Sequence, residues 1–256
     1  MWAGCGRPGL GRVWMLGQEV VALIMDRLAF LGLMMMVFPA QTLAALAALP
    51  AEYAQSPSGK PLTEKERTAL GEGKILVHLT EIPGTPVKRA TAVALVDASP
   101  ESVFGVLTDY DEFPSFMPYC KKAQIQKKEG EQSWVRFELD FPWPIGDRHY
   151  VLRLTDRREE VSGKPVLASR WTYEPDSGNI NDTYGSWEVF CHEGSRSFVR
   201  YTVFTDPGGN IPNWARNVAS DVAVPKVIKG LRKRATEKTT TAPDASTGLR
   251  ERDAGG

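Results

Sequence analysis

Among the ionisable side chains of this 256-residue sequence, Arg148 has the most unusual setting. It opens the run RHYVLRL, in which Tyr150, Leu152 and Leu154 recur at every second position. Side chains of a strand alternate between its two faces, so Arg148 is expected on the apolar face with those three. A guanidinium set among apolar groups needs an anion, because its charge and its donors are costly to bury unmatched. Two kinds of partner fit. One is the phosphate or carboxylate of a lipid head group, gripped by the planar fork of donors; the other is an internal carboxylate, either Asp156 on the same face or Asp97.

The remaining chemistry-bearing residues point away from catalysis. His78, His149 and His192 show no HxxxH or HExxH spacing, and His149 falls with Asp147 and Arg153 on the polar face of its strand, where a solvated histidine is expected. Cys120 and Cys191 match no zinc or redox spacing, and their separation favours two thiols over a pairing with one another. Gly208 and Gly209 read as a tight turn and not as a phosphate-binding loop. No nucleophile elbow or acid pair stands out, so no catalytic residue, metal ligand or cofactor is assigned. With 31 Lys+Arg against 31 Asp+Glu the chain offers no basic footprint for nucleic acid, and 42% hydrophobic residues exclude wholesale disorder.

The elements that must position Arg148 follow an N-terminal address. Residues 28–51 carry no charge, but the strongly apolar part ends near Phe38, Arg27 precedes it, and Ala45-Leu46-Ala47 supplies an A-x-A cleavage site. A signal peptide cleaved before Ala48 is the reading, with a retained membrane anchor as the alternative. Residues 1–24 make a poor leader, and translation beginning at Met25 would give a compact one. Removing residues 1–47 takes away Arg7, Arg12, Arg27, Glu19 and Asp26, leaving a net charge of minus one. A periplasmic or secreted location follows.

Residues 48–72 read as a linker and a short helix, with Thr63 and Glu66 as a capping box and Gly71 as the stop. Two strands (74–82 and 87–98) come next, then an amphipathic helix capped by Ser99-Pro100 and a second helical piece over 111–117. Six strands are expected over 120–127, 132–141, 147–157, 166–174, 183–192 and 196–205. In VRFELDF the alternation of Val135, Phe137, Leu139 and Phe141 with charged residues marks an antiparallel sheet wet on one face. A long C-terminal helix carries the stripe Ile211, Trp214, Val218, Val222, Val227, Ile228 and Leu231, with a kink or break at Pro225. Residues 237–256 have nothing to bury and are expected to be disordered. The basic run Lys226, Lys229, Arg232, Lys233, Arg234 reads as a solvated helix end, with docking on an anionic membrane as the alternative.

This order of elements is similar to the helix-grip layout of the START (SRPBCC) superfamily, and three local runs sharpen the likeness. PWPIGDRHYVLRL (142–154) and GSWEVF (185–190) resemble two strands of START lipid-transfer domains of the phosphatidylcholine-transfer kind. RYTVFTDPGGNIPNWARNVASDVAVPKVIKGL (200–231) resembles their last strand, Asp-Pro-Gly-Gly turn and C-terminal helix. The resemblance covers residues 73–236. It implies an α+β helix-grip fold, a curved antiparallel sheet wrapped around the C-terminal helix with a hydrophobic tunnel between them. It also implies a non-enzymatic, monomeric carrier of one phospholipid or sterol-like molecule, making transient membrane contact. Tunnel residues would be Arg148, Tyr150, Phe137, Leu139, Trp171, Tyr173, Trp187, Tyr201, Trp214 and Val218, with Trp214 at the gate. His149 stands where the family usually has Asp, which removes one partner for a cationic head group. Two other functions occur on related folds, a polyketide aromatase/cyclase and an isoprenoid-quinone-binding chaperone.

Overall fold

A computed structural model describes residues 55–161, 164–192, 195–209, 211–212 and 222–241, of which 239–241 are described by backbone only. The expectations for the leader, for Trp214 and Val218, and for the tail beyond 241 lie outside the described residues. The chain divides into two compact units after Ala47, and everything below concerns the second.

Helix α1 (Glu64–Gly71) begins at the expected capping box: Thr63 Oγ1 accepts from the Glu66 amide at 3.3 Å, and Glu66 Oε2 accepts from the Thr63 amide at 2.8 Å. The chain leaves the helix through Gly73 at φ +81°, so the left-handed stop falls two residues later than expected. Strands β1 (Leu76–Glu81) and β2 (Lys88–Val96) follow. Helix α2 (Pro100–Leu107) is capped by Ser99, whose Oγ accepts from the Ser102 amide at 3.2 Å. A single tight turn (Tyr110–Glu112) leads into the short helix α3 (Phe113–Phe116).

Six strands in succession then complete the sheet: β3 (Cys120–Glu129), β4 (Gln132–Leu139), β5 (Arg148–Val161), β6 (Lys164–Tyr173), β7 (Asp182–Cys191) and β8 (Ser197–Asp206). All pairings are antiparallel and the order is β1-β2-β8-β7-β6-β5-β4-β3, which leaves β1 and β3 at the edges.

The last described element is helix α4 (Val224–Thr241). The kink or break expected at Pro225 corresponds to a wider helical turn at residues 222–223, with Pro225 in the first turn of α4. Val224, Ile228, Leu231 and Ala235 are buried at helical spacing, and α4 packs on α2, α3 and β2. Two expectations need correction. Val222 is exposed and does not belong to the buried stripe. The helix also runs to Thr241, into the first residues of the stretch 237–256 expected to be disordered, where Lys238 Nζ reaches Asp109 at 2.6 Å and ties the last turns down. The basic run is only partly solvated: Arg232 donates to the carbonyls of Leu95 (2.8 Å) and Gly73 (2.7 Å), and Arg234 donates to Glu112 (2.6 Å).

Two apolar clusters result. On the outer face of the sheet, Leu62 and Leu70 of the α1 region pack on Val93, Leu95, Val166, Phe190 and Phe198, so part of the segment read as a linker joins the domain. The larger inner cluster lies between the sheet and α2, α3 and α4. Outside the first cluster an ionic ladder crosses four strands. Glu159 meets Arg157 (3.0 Å) and Arg170 (2.7 Å), while Glu188 meets Arg170 (3.0 Å) and Arg200 (3.5 Å).

Candidate ligand-binding cavity

The inner face is not filled. A cavity of about 210 Å³ remains between the sheet and the helices, walled by β4 to β8, by α2, α3 and the start of β3, and by Val224 and Val227 of α4. Aromatic rings make up much of the wall, and their arrangement follows from the register. Trp187 on β7 lies directly opposite Tyr201 on β8, and the rings stack at 3.9 Å with 16° between planes. Phe137 on β4 faces Tyr150 on β5 in the same way, at 5.9 Å and 29°. Trp171 on β6 is paired with Gly185 on β7, and a Cβ at that glycine would come within 2.3 Å of the indole. The glycine of the GSWEVF run is thus what lets this ring lie flat in the wall.

Seven of the ten residues singled out from sequence line the cavity: Phe137, Leu139, Arg148, Tyr150, Trp171, Trp187 and Tyr201. Tyr173 does not. At the end of β6 it packs against the edge of the inner cluster, a position that alternation alone places beside Trp171. Trp214 and Val218 lie outside the described residues. Sequence reading also passed over Tyr110, Phe113, Met117, Ser169, Ile180 and Thr183, all of which contribute to the wall. Tyr110 carried a signal, since it follows Val103, Val106 and Leu107 at helical spacing, but nothing local marks Ser169 or Thr183 as facing a void.

Arg148 is positioned by backbone. Its Nε donates to the Pro207 carbonyl at 2.9 Å and its Nη1 to the Asp147 carbonyl at 2.9 Å. Pro207 is held in turn by the Asp-Pro-Gly-Gly turn, where Gly208 and Gly209 have φ of +64° and +72° and the Gly208 amide donates to Asp206 Oδ1 at 3.1 Å. The start of β5 is clamped from the other side by the loop before β7. Asn179 Oδ1 accepts from the His149 amide at 2.8 Å, and Ser177 Oγ accepts from the Val151 amide at 2.9 Å. Neither internal carboxylate considered from sequence pairs with Arg148. Asp156 accepts from the Tyr110 hydroxyl at 2.6 Å, and Asp97 is taken by Arg196 at 2.6 Å. Partial burial lowers the Arg148 pKa, the neighbouring Asp147 charge acting against it, and the group remains a cation.

Burial also fixes the state of the other polar wall groups. The hydroxyls of Tyr150 and Tyr201 are pushed well above the ordinary tyrosine value, and so is that of Tyr110, where the Asp156 charge adds to burial. All three are neutral at physiological pH. Cys120, a free thiol and therefore not bonded to Cys191, lines the cavity and is pushed up to about 11 by burial. His149 is exposed on the far side of β5, as its alternation indicated. Among the described residues no cluster of His, Cys, Asp and Glu could hold a metal ion.

With this geometry established, known proteins give it a setting. An uncharacterised protein of Pseudomonas aeruginosa is 27% identical over 186 residues, which span 71% of this chain and 92% of that protein. Human phosphatidylcholine transfer protein is 29% identical over 147 residues, 54% of this chain and 67% of the relative. Among solved structures, the STAR-related lipid transfer protein from Xanthomonas axonopodis superposes with a TM-score of 0.56 at 23% identity, covering 63% of this chain and 93% of that one. Human StAR-related lipid transfer protein 5 does so at 0.53 and 14%, covering 66% and 85%. These likenesses establish the START helix-grip fold. The model of the polyketide cyclase/dehydrase and lipid transport family matches residues 96–232, more than half of the chain and every residue of the cavity wall, and the chain belongs to that family.

Proposed function

We propose that this protein takes up one amphipathic lipid in the cavity and carries it unchanged, as a monomer in the periplasm or outside the cell. The observation that carries this reading is an aromatic-walled apolar cavity bordered by a guanidinium that has no carboxylate partner among the described residues. Apolar walls draw in a hydrocarbon chain at roughly 25 cal/mol per Å² removed from water. A fork of donors with charge to spare orients a phosphate or carboxylate. The name of the phosphatidylcholine transfer relative favours a phospholipid, and a sterol-like molecule is the other ligand this reading admits. At about 210 Å³ the cavity falls below the usual small-molecule range, roughly 300–1,000 Å³, so a two-chain lipid requires the walls to part.

Two further features support the route of exchange. The loop before β5 contributes Phe141 and Ile145 to the wall, while its tip, Trp143, is 87% exposed, a placement that suits the interface of a membrane. The A-x-A site before Ala48 lies ahead of every described residue, so cleavage there would leave the cavity intact, in keeping with export.

An aromatase/cyclase-like activity is the second reading, favoured by Tyr110 and Ser169 in the wall. The raised tyrosines make it the weaker one, since neutral phenols offer hydrogen bonds in place of proton abstraction. Protein purified without detergent and extracted with organic solvent is expected to release one class of lipid, read by mass spectrometry. Protein that releases none and takes none from vesicles sinks the carrier reading.

A further inference from the structure

The inner face of β5 carries a second polar residue beyond Arg148. Asp156 lies eight residues further along on the same face, about 26 Å away at the rise of an extended strand. Ser169 on β6 stands directly opposite it in the register, so the two side chains share that face. Tyr110 completes the group: its hydroxyl donates to Asp156 Oδ2 at 2.6 Å.

That bond leaves a defined remainder. Among the described residues Asp156 Oδ1 is buried with no hydrogen-bond partner, and the Oγ of Ser169, a residue only 1% exposed, meets none in hydrogen-bond geometry, although it lies near enough to Tyr110 to temper the rise in that phenol's pKa. Ser169 and Tyr110 both line the cavity. A bare carboxylate oxygen in an apolar setting is costly, and only a donor relieves it. A hydroxyl fits both vacant capacities at once, donating to Asp156 Oδ1 and accepting from Ser169. A carbonyl, as in a quinone or an ester, can accept from Ser169 but leaves the Asp156 oxygen unmatched.

We propose that the Tyr110–Asp156–Ser169 group is a second recognition site, built for a hydroxyl, at the end of the cavity remote from Arg148. The ligand is then a long-chain lipid with an anionic group at one end and a hydroxyl toward the other. This rests on the carrier reading and narrows its ligand.

The test compares three probes that share a carboxylate: hexadecanoate, ω-hydroxyhexadecanoate and ω-methoxyhexadecanoate. Titration calorimetry on the mature protein is expected to give the hydroxy acid about tenfold higher affinity than the methoxy acid, the worth of one hydrogen bond to a charged acceptor. Asp156→Asn, which offers an amide in place of the free oxygen, is expected to abolish or reverse that ratio. Ser169→Ala is expected to reduce it and serves where the first variant does not fold. Hexadecanoate bound with equal affinities for the other two probes overturns this inference and leaves the carrier reading standing. So does a ratio that survives both substitutions. Failure of all three probes to bind, in protein that also yields no extractable lipid, overturns the carrier reading and this inference with it.

Discussion

The outer face of the sheet buries Leu62 and Leu70 against Val93, Leu95, Val166, Phe190 and Phe198 in one apolar cluster. The inner face carries at least as much apolar surface but closes around empty space. The difference lies in the shapes of the side chains and in what covers them. On the outside, flexible leucines settle between branched aliphatics and two rings. On the inside, Trp187 stacks on Tyr201 and Phe137 on Tyr150, Trp171 leans on Tyr201 at a tilt, and rings that brace one another resist collapse into a gap. A core and a container are thus built on two sides of the same strands, by residues that alternate along them.

Removing a large ring from each face probes this contrast most strongly. Phe198 is fully buried in the outer cluster, and Phe198→Ala is expected to cost about 3–5 kcal/mol in chemical denaturation. Trp171→Ala removes a larger side chain but one that already borders empty space, and is expected to cost about half as much. Equal losses would mean that the inner face is packed like the outer one.

Arg148→Leu comes next. Affinity for an anionic lipid is expected to fall about tenfold or more, with the denaturation midpoint nearly unchanged, because among the described residues the guanidinium bonds to two carbonyls at the rim and to no other side chain. Unfolding of this variant would show that those bonds serve the fold.

A smaller effect belongs to the outer ladder. The Arg170 guanidinium, with Arg157 beside it, holds the Glu159 carboxyl below its ordinary value in the folded protein. A depressed folded value gives stability that is complete above the unfolded value, near 4.3, and is lost as the pH falls through the folded one. Glu159→Gln is therefore expected to flatten part of the acid limb of stability against pH, by less than about 1 kcal/mol for a pair this near solvent. Ligand affinity at neutral pH should not change, which separates the two faces again.

The slightest effect is one of rate. With its pKa raised to about 11, the Cys120 thiol is expected to react slowly with a disulfide reagent at pH 8 and more slowly still when lipid fills the cavity. Reaction unaffected by lipid would place the ligand elsewhere.

Much of this was legible in the sequence because strands write their faces at period two. The alternation around Arg148 gave its orientation, and the capping box at Thr63 and Glu66 gave the start of α1. What escaped depends on long-range approach. The Tyr110–Asp156 bond joins residues 46 positions apart, and Arg234 meets Glu112 across 122, so neither leaves a local trace. Tyr173 shares the inner face but stops short of the cavity, and Val222 is exposed, because periodicity continues on paper past the reach of the site. The last turns of α4 were missed for the opposite reason, since a polar run such as TEKTTT gives no sign that Lys238 will be fastened to Asp109.

The sheet is open, and β3 is one of its two edges. An unpaired edge invites a second copy to add its own strands, the first step of aggregation. Along β3 the chain places Lys121, Lys122, Lys127 and Lys128, all exposed, so that two such edges meeting head-on would bring like charges together. On the carrier reading the apolar interior has to be kept from neighbouring copies, and a lysine-lined border discourages their approach along β3.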